Sequence, residues 1–128
     1  SAKNSIEFDA VSEGIRTLSP QSKIVLMSIT KNVEADNPRM TTGDVYNKYK
    51  EICDVLDVKP LTQRRVTDLI SELDMMGIIN ASVRSFGRAG RTNEIELAAP
   101  KENIMILRDD PMFKDFEYSK SPRQTKLM

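Results

Sequence analysis

The strongest constraint on the fold is a change of hydrophobic period at Gly77. Before this glycine, the N-capping residue Thr62 precedes apolar residues at helical spacing: Val66, Leu69, Ile70, Leu73 and Met76. After it, residues 79–83 alternate between apolar and polar side chains, which is typical of a half-buried β-strand. Because glycine adopts a left-handed backbone without strain, Gly77 is a natural end for the helix. The sequence therefore predicts a helix that leads directly into a strand.

A second alternating run, residues 94–97, follows the segment SFGRAGRTNE. Two such runs joined by a glycine-containing loop predict a β-hairpin. Its tip carries Gly87, Arg88, Gly90 and Arg91, so it combines flexible backbone with positive charge. On its own, this composition also fits a tight hairpin whose arginines serve only solubility.

Two further helices are predicted upstream. Ser19–Pro20 is an N-cap followed by proline at the first helical position, and the helix should run to about Asn32. Its segment KIVLMSIT is apolar around most of the helix, so we expect it to be central and buried. Thr42 is the expected cap of the next helix, residues 43–56. Residues 39–41 just before it predict a short strand.

Additional helices are expected near both ends, over residues 5–18 and from Pro100. The resulting order of elements is that of a winged helix-turn-helix, a mainly α fold with a small β-hairpin, here with an added N-terminal and C-terminal helix. A three-helix domain with an unrelated hairpin is the alternative. We expect residues 1–18 to form a helix or linker from a missing upstream domain and residues 19–99 to form the winged-helix domain. Residues 100–116 should form a C-terminal helical extension, and residues 117–128 a disordered tail. Because the chain begins with Ser1 and not methionine, we expect a piece of a longer protein.

The composition argues against an enzyme. The 128 residues include one cysteine, Cys53, and no histidine, so Ser–His and Cys–His nucleophiles and the usual zinc sites are excluded. Phosphate-binding motifs of the GxxxxGK[ST] and GxGxxG types are absent. The acidic pair Asp109–Asp110 is typical of a solvated helix end, and Cys53 of a small buried hydrophobic residue. We predict no catalytic residue, no cofactor and no metal site in this chain, and no run of residues apolar enough to cross a membrane.

Charge is concentrated around the predicted helix and hairpin. The chain has a net charge of zero, yet residues 59–91 contain six Lys and Arg against three Asp and Glu. Such local clustering is typical of a nucleic-acid interface. On a helical wheel, Arg64 and Thr67 point away from the apolar stripe, with Gln63 and Arg65 on its flanks. These side chains suit base edges or phosphates, although arginines at a helix start are also common on solvated surfaces.

The residues resemble the C-terminal winged-helix domain of the archaeal replication initiators of the origin recognition and Cdc-six type. The resemblance rests on PLTQRRVTDLISELDMMGIINASVRSFGRAGRTNEIEL, with TTGDVYNKYKEIC and SPQSKIVLMSI upstream, and covers roughly residues 5–115. It implies a module that binds double-stranded origin DNA through a recognition helix and an arginine-bearing wing. The implied contacts are Thr62, Gln63, Arg64, Arg65 and Thr67 in the helix, and Arg84, Gly87, Arg88, Gly90 and Arg91 in the wing.

The resemblance also implies what lies outside the chain. Initiators of this type carry an N-terminal AAA+ ATPase, so we expect ATP to bind in a missing portion. Separately, we expect the fragment itself to be monomeric. The expected partners are origin DNA, with the replicative helicase and the protein's own AAA+ domain as further candidates, at a cytoplasmic, nucleoid-associated location. Two alternatives stay open. One is a winged helix that contacts only the helicase or the ATPase, and the other is a winged-helix transcription regulator.

Overall fold

The computed structural model describes residues 10–85 and 91–113. Residues 10–16 form the first helix, α1, and residues 111–113 are helical at the other end. Between them the elements follow in the order α2 Pro20–Glu34, β1 Met40–Thr41, α3 Thr42–Leu56, α4 Gln63–Met75, β2 Ile79–Ser85, β3 Arg91–Leu97 and α5 Lys101–Arg108. This order confirms the mainly α winged helix-turn-helix with a helix added on each side.

The centre of the fold is α2, as its sequence predicts. The Ser19 side chain accepts a hydrogen bond from the Ser22 N–H, and Pro20 occupies the first helical position. Every residue from Ile24 to Thr30 is buried. The polar residues within this run bond the helix backbone, so their burial leaves no hydroxyl unsatisfied: Ser28 Oγ donates to the Ile24 carbonyl at 2.8 Å.

The three strands form one antiparallel sheet in the order β1–β3–β2. The predicted hairpin pairs Ile79 with Leu97 and Ala81 with Ile95. The short strand β1 pairs with the edge of β3 that faces away from β2, and there Met40 lies opposite Ile95. Met40, Ile79 and Ile95 are all buried, so the sheet closes the helical core along one side.

The cap of α3 corrects one prediction. The N-cap is Thr41, not Thr42, which is already helical. Thr41 Oγ1 accepts from the Asp44 N–H at 3.1 Å, and the Asp44 carboxylate accepts from the Thr41 N–H at 3.0 Å. This reciprocal capping box needs an acidic or amide residue three positions after the cap, a spacing that Thr41 satisfies and Thr42 does not.

The ends of α4 agree with the sequence, but its buried stripe is narrower. Thr62 is the N-cap, and Gly77 has a φ of +79°, the left-handed conformation expected after a helix. Val66, Ile70 and Leu73 are buried. Leu69 is only half-buried, and Met76 is 43% exposed. The residues that face the core therefore follow one narrow line of the helix.

Both added helices contribute side chains to the same core. Ile15 of α1 and Leu107 of α5 belong to the hydrophobic cluster that surrounds α2. The two helices are joined by a buried hydrogen bond from Asn103 Nδ2 to Ser12 Oγ, at 2.9 Å. The beginning of the predicted N-terminal helix and the predicted tail lie outside the described residues.

Candidate nucleic-acid interface

The first turn of α4 presents a polar, cationic surface. Gln63, Arg64 and Arg65 are exposed, as is the cap Thr62. Thr62 Oγ1 accepts from the Arg65 N–H at 3.3 Å, and Thr67 Oγ1 donates to the Gln63 carbonyl at 2.9 Å. These local bonds order the turn without engaging the two guanidinium groups. All five helix residues that the sequence singles out thus lie within two turns of one another.

The residue before this cap is held by two tyrosines from α3. Tyr46 Oη donates to the Leu61 carbonyl at 3.0 Å, and the Leu61 N–H donates to Tyr49 Oη at 2.8 Å. Tyr49 in turn donates to the side-chain oxygen of Gln21 on α2. The two rings stack with centroids 5.9 Å apart. Both backbone groups of Leu61 are therefore fixed, so the start of α4 has a defined position relative to α2 and α3.

Burial sets the chemistry of the Tyr49 hydroxyl. Desolvation raises the pKa of Tyr49 to about 12, although the hydrogen bond from the Leu61 N–H opposes this rise. The phenol is therefore neutral at physiological pH and keeps the proton that it donates to Gln21. Cys53, on the same face of α3, is buried, and desolvation raises the pKa of its thiol. A protonated, buried thiol agrees with the predicted role as a small hydrophobic residue.

Sequence reasoning missed one cation next to this site. Lys50 follows Tyr46 by one helical turn on α3, and its ammonium nitrogen lies 4.9 Å from the centroid of the Tyr46 ring. The side chain is exposed. The sequence TTGDVYNKYKEIC does place a lysine four residues after a tyrosine, a spacing that allows a cation–π contact within a helix. This pattern is weak as a signal for a binding site, because the sequence does not show which face of α3 contacts α4.

The hairpin arginines are only partly described. Arg84 lies in β2 opposite Thr92, and Arg91 lies in β3 opposite Ser85, so the backbone brings these two positions close together across the ladder. The tip residues Gly87, Arg88 and Gly90 lie outside the described residues.

The second half of α4 has a different character from the first. Asp68 and Glu72 are exposed. Asp74 is half-buried and accepts a hydrogen bond from the Ala81 N–H at 3.2 Å, which ties the end of α4 to β2. Met75 is 86% exposed. A phosphate backbone would be repelled by this acidic half, so a docked helix would contact DNA through its first turns.

Among residues 10–85 and 91–113, no three His, Cys, Asp or Glu side chains cluster closely enough to hold a metal ion. Within the same ranges, no helix has the length and apolar character required to cross a lipid bilayer.

The order of elements, the three-stranded sheet and the exposed start of α4 define a winged-helix domain. Residues 13–106 match the family described as CDC6, C terminal winged helix domain, and the chain belongs to that family.

Curated relatives point the same way. The chain is 52% identical over 117 residues to ORC1-type DNA replication protein 7 of Halobacterium salinarum, covering 91% of this chain and 23% of that protein. It is 55% identical over 127 residues to the ORC1-type DNA replication protein of Thermococcus kodakarensis, covering 98% of this chain and 31% of that protein. The chain thus spans less than a third of the length of these relatives.

Solved structures share the fold. The Aeropyrum pernix ORC1 protein in complex with DNA superposes with a TM-score of 0.80 at 42% identity, covering 87% of this chain and 29% of that one. Drosophila ORC bound to DNA matches with a TM-score of 0.63 at 20% identity, covering 77% of this chain and 25% of that chain, which supports the fold alone.

Proposed function

We propose that this chain is the duplex-DNA-binding module of a replication initiator and that it recognises origin DNA. The observation that carries the proposal is the exposed cationic first turn of α4, on a chain of zero net charge whose next two strands form a hairpin with an arginine-rich sequence. DNA is a polyanion, so a local excess of cations on a protein without global positive charge favours this face for binding. A relative with 42% identity, the Aeropyrum pernix ORC1 protein, is known in complex with DNA.

In this proposal the recognition helix is α4, placed in the major groove. Arg64 and Arg65 bind guanine edges or phosphates, and Gln63 suits adenine. The hydroxyls of Thr62 and Thr67 are short enough to bond phosphate or base edges near the helix start. The acidic side chains further along α4 favour a tilted helix that enters by its N-terminal end.

The wing supplies the second half of the contact. Arg84, Arg88 and Arg91 bind phosphate or enter the minor groove, where negative potential is strongest when the groove is narrow. Gly87 and Gly90 shape the tip between them, since residues without Cβ let the backbone approach DNA closely.

The whole protein would add functions that this chain does not carry. Because the chain spans 22–31% of the relatives' length, we propose that an AAA+ portion elsewhere binds ATP and that the full protein acts at the nucleoid. The replicative helicase and the AAA+ domain are proposed partners of the full protein. The expected monomeric state of the 128-residue chain remains a prediction.

A second candidate function is favoured by the other end of α4. The exposed Asp68 and Glu72 would repel DNA phosphates, and the 86% exposed Met75 is a residue type enriched at protein–protein interfaces. The same domain would then contact the helicase or the AAA+ domain through this end. Binding to a helicase subunit together with no DNA binding at low salt would select this function over the first.

Salt-dependent titration tests the leading proposal. If about five cations meet phosphates, the logarithm of affinity should fall with the logarithm of salt concentration at a slope of about −4 to −5. The combined change Arg88→Ala and Arg91→Ala should weaken binding and flatten this slope. A wild-type chain that shows no salt dependence would refute DNA binding, and unchanged affinity in the double variant would remove the wing.

A further inference from the structure

One face of α3 lies against the start of α4. Tyr46 is half-buried there, and its hydroxyl donates to the carbonyl of Leu61 at 3.0 Å. Leu61 immediately precedes the α4 cap Thr62. Any group that Tyr46 positions therefore lies near the cationic first turn of α4.

Lys50 is such a group. Its ammonium nitrogen lies 4.9 Å from the centroid of the Tyr46 ring, and the side chain is exposed. The face of an aromatic ring attracts a cation without neutralising it. Among residues 10–85 and 91–113, no carboxylate forms an ion pair with Lys50. Its positive charge is thus ordered and still available to an anion.

Lys48 provides a contrast on the same helix. It is paired with the carboxylate of Glu51 at 3.3 Å. It also lies two positions from both Tyr46 and Lys50, which places it on the other side of α3. The two lysines carry the same charge, but Lys48 pairs with a carboxylate and Lys50 with an aromatic ring, and they lie on opposite sides of α3.

We propose that Lys50 binds a DNA phosphate and that the Tyr46 ring holds it beside the start of the recognition helix. The proposal rests on the proposed DNA-binding function and adds a contact from α3. In a helix-turn-helix the first helix crosses the DNA backbone while the second enters the groove, and phosphate contacts fix the register of the second. Because the Tyr46 hydroxyl donates a hydrogen bond to the Leu61 carbonyl, the Tyr46 side chain links the phosphate contact of Lys50 to the start of α4.

The test compares Lys50→Gln with Lys48→Gln in the 128-residue chain. The probe is a fluorescent duplex that the wild-type chain selects from a random library, titrated at several salt concentrations. Lys50→Gln should make the salt slope shallower by about 0.9, so between about 50 and about 200 mM salt its affinity falls about 3.5-fold less than that of the wild type. Lys48→Gln removes the same charge and should leave the slope unchanged.

Three results would overturn the proposal. An unchanged slope in Lys50→Gln excludes a phosphate contact, and equal changes in both variants show only an effect of net charge. The third result concerns the Tyr46 ring. In a Tyr46→Leu background, Lys50→Gln should change the salt slope by less than about half of its change in the wild-type background, and equal changes in the two backgrounds would show that Tyr46 does not position Lys50. A wild-type chain that binds neither a selected nor a mixed-sequence duplex at low salt instead refutes the proposed function itself.

Discussion

Replacing Tyr49 by phenylalanine removes one oxygen that joins three elements of the fold. In the wild type this oxygen accepts from the Leu61 N–H and donates to Gln21 on α2. Each bond contributes about 0.5–1.5 kcal/mol net, and an N–H left without a partner costs about 1–3 kcal/mol when buried. Leu61 is half-buried, so water replaces part of the lost bond. We therefore expect the free energy of unfolding to fall by about 2 kcal/mol.

Urea denaturation measures this change. With a slope m of about 2 kcal/mol per molar urea, typical of small proteins, the midpoint should fall by about 1 M while m stays constant. Tyr46→Phe is the matched control, because it removes a single bond to the Leu61 carbonyl and keeps the stacked ring. It should cost about 0.5–1 kcal/mol. A loss below about 0.5 kcal/mol for Tyr49→Phe, or equal losses for the two variants, would refute the reasoning.

The same variant has a pH signature. Burial raises the pKa of Tyr49 from 10.0 to about 12, so between these values the unfolded chain releases a proton that the folded chain keeps. The stability that depends on this proton is complete below about pH 10 and is lost as pH rises toward 12, by up to about 1.4 kcal/mol per pH unit. The difference in stability between the wild type and Tyr49→Phe should therefore shrink across this window, whereas a constant difference would contradict the raised pKa.

Three further predictions concern α4 and the added C-terminal helix. Arg64→Ala combined with Arg65→Ala should make the salt slope of DNA binding shallower by about 1.8 without unfolding the domain, as measured by fluorescence anisotropy; an unchanged slope would exclude both from phosphate contact. Thr62→Ala should lower the free energy of unfolding by about 1 kcal/mol in urea denaturation, with Thr62→Ser close to the wild type, since serine also caps helices. Asp110→Asn should cost about 1–2 kcal/mol, because Asp110 pairs with Lys23 at 2.6 Å and both side chains are less than a fifth exposed. Burial raises the pKa of Asp110, but the hydrogen bonds from Lys23 and the Met112 N–H, together with the Lys23 charge, outweigh it and lower the pKa below its usual value. The contribution of the pair is therefore present above about pH 4 and lost at lower pH, and urea denaturation of the wild type and the asparagine variant across this range measures the loss.

Sequence patterns predicted the elements whose signals are local. The cap Thr62 and the left-handed Gly77 agree with the structure, and the apolar stripe of α4 faces the core, although it is narrower than its spacing predicts. The predicted cap of α3 was wrong by one residue. Two adjacent threonines can both cap a helix, and only the hydrogen bonds with Asp44 distinguish Thr41 from Thr42. Local patterns thus fix the type of an element better than its first residue.

The candidate DNA site also contains residues that the sequence predicted and a residue that it did not. Periodicity alone predicted that Arg64 points outward and that Arg65 lies on the flank of the apolar stripe, and both side chains are exposed. The roles of these arginines and of the wing arginines in binding DNA stay predictions. Lys50 was missed because its relevance depends on which face of α3 meets α4, and that contact appears only when the chain is folded.

By itself, the sequence determined the order of helices and strands, the central position of α2 and the concentration of charge between Lys59 and Arg91. Caps, periodicity and composition act over a few residues, so they can be read along the chain. Only the tertiary structure decided that β1 joins β3 and that Tyr49 links Gln21 to Leu61. These contacts join residues far apart along the chain, and their partners are selected by the packing of whole elements, which no local pattern encodes.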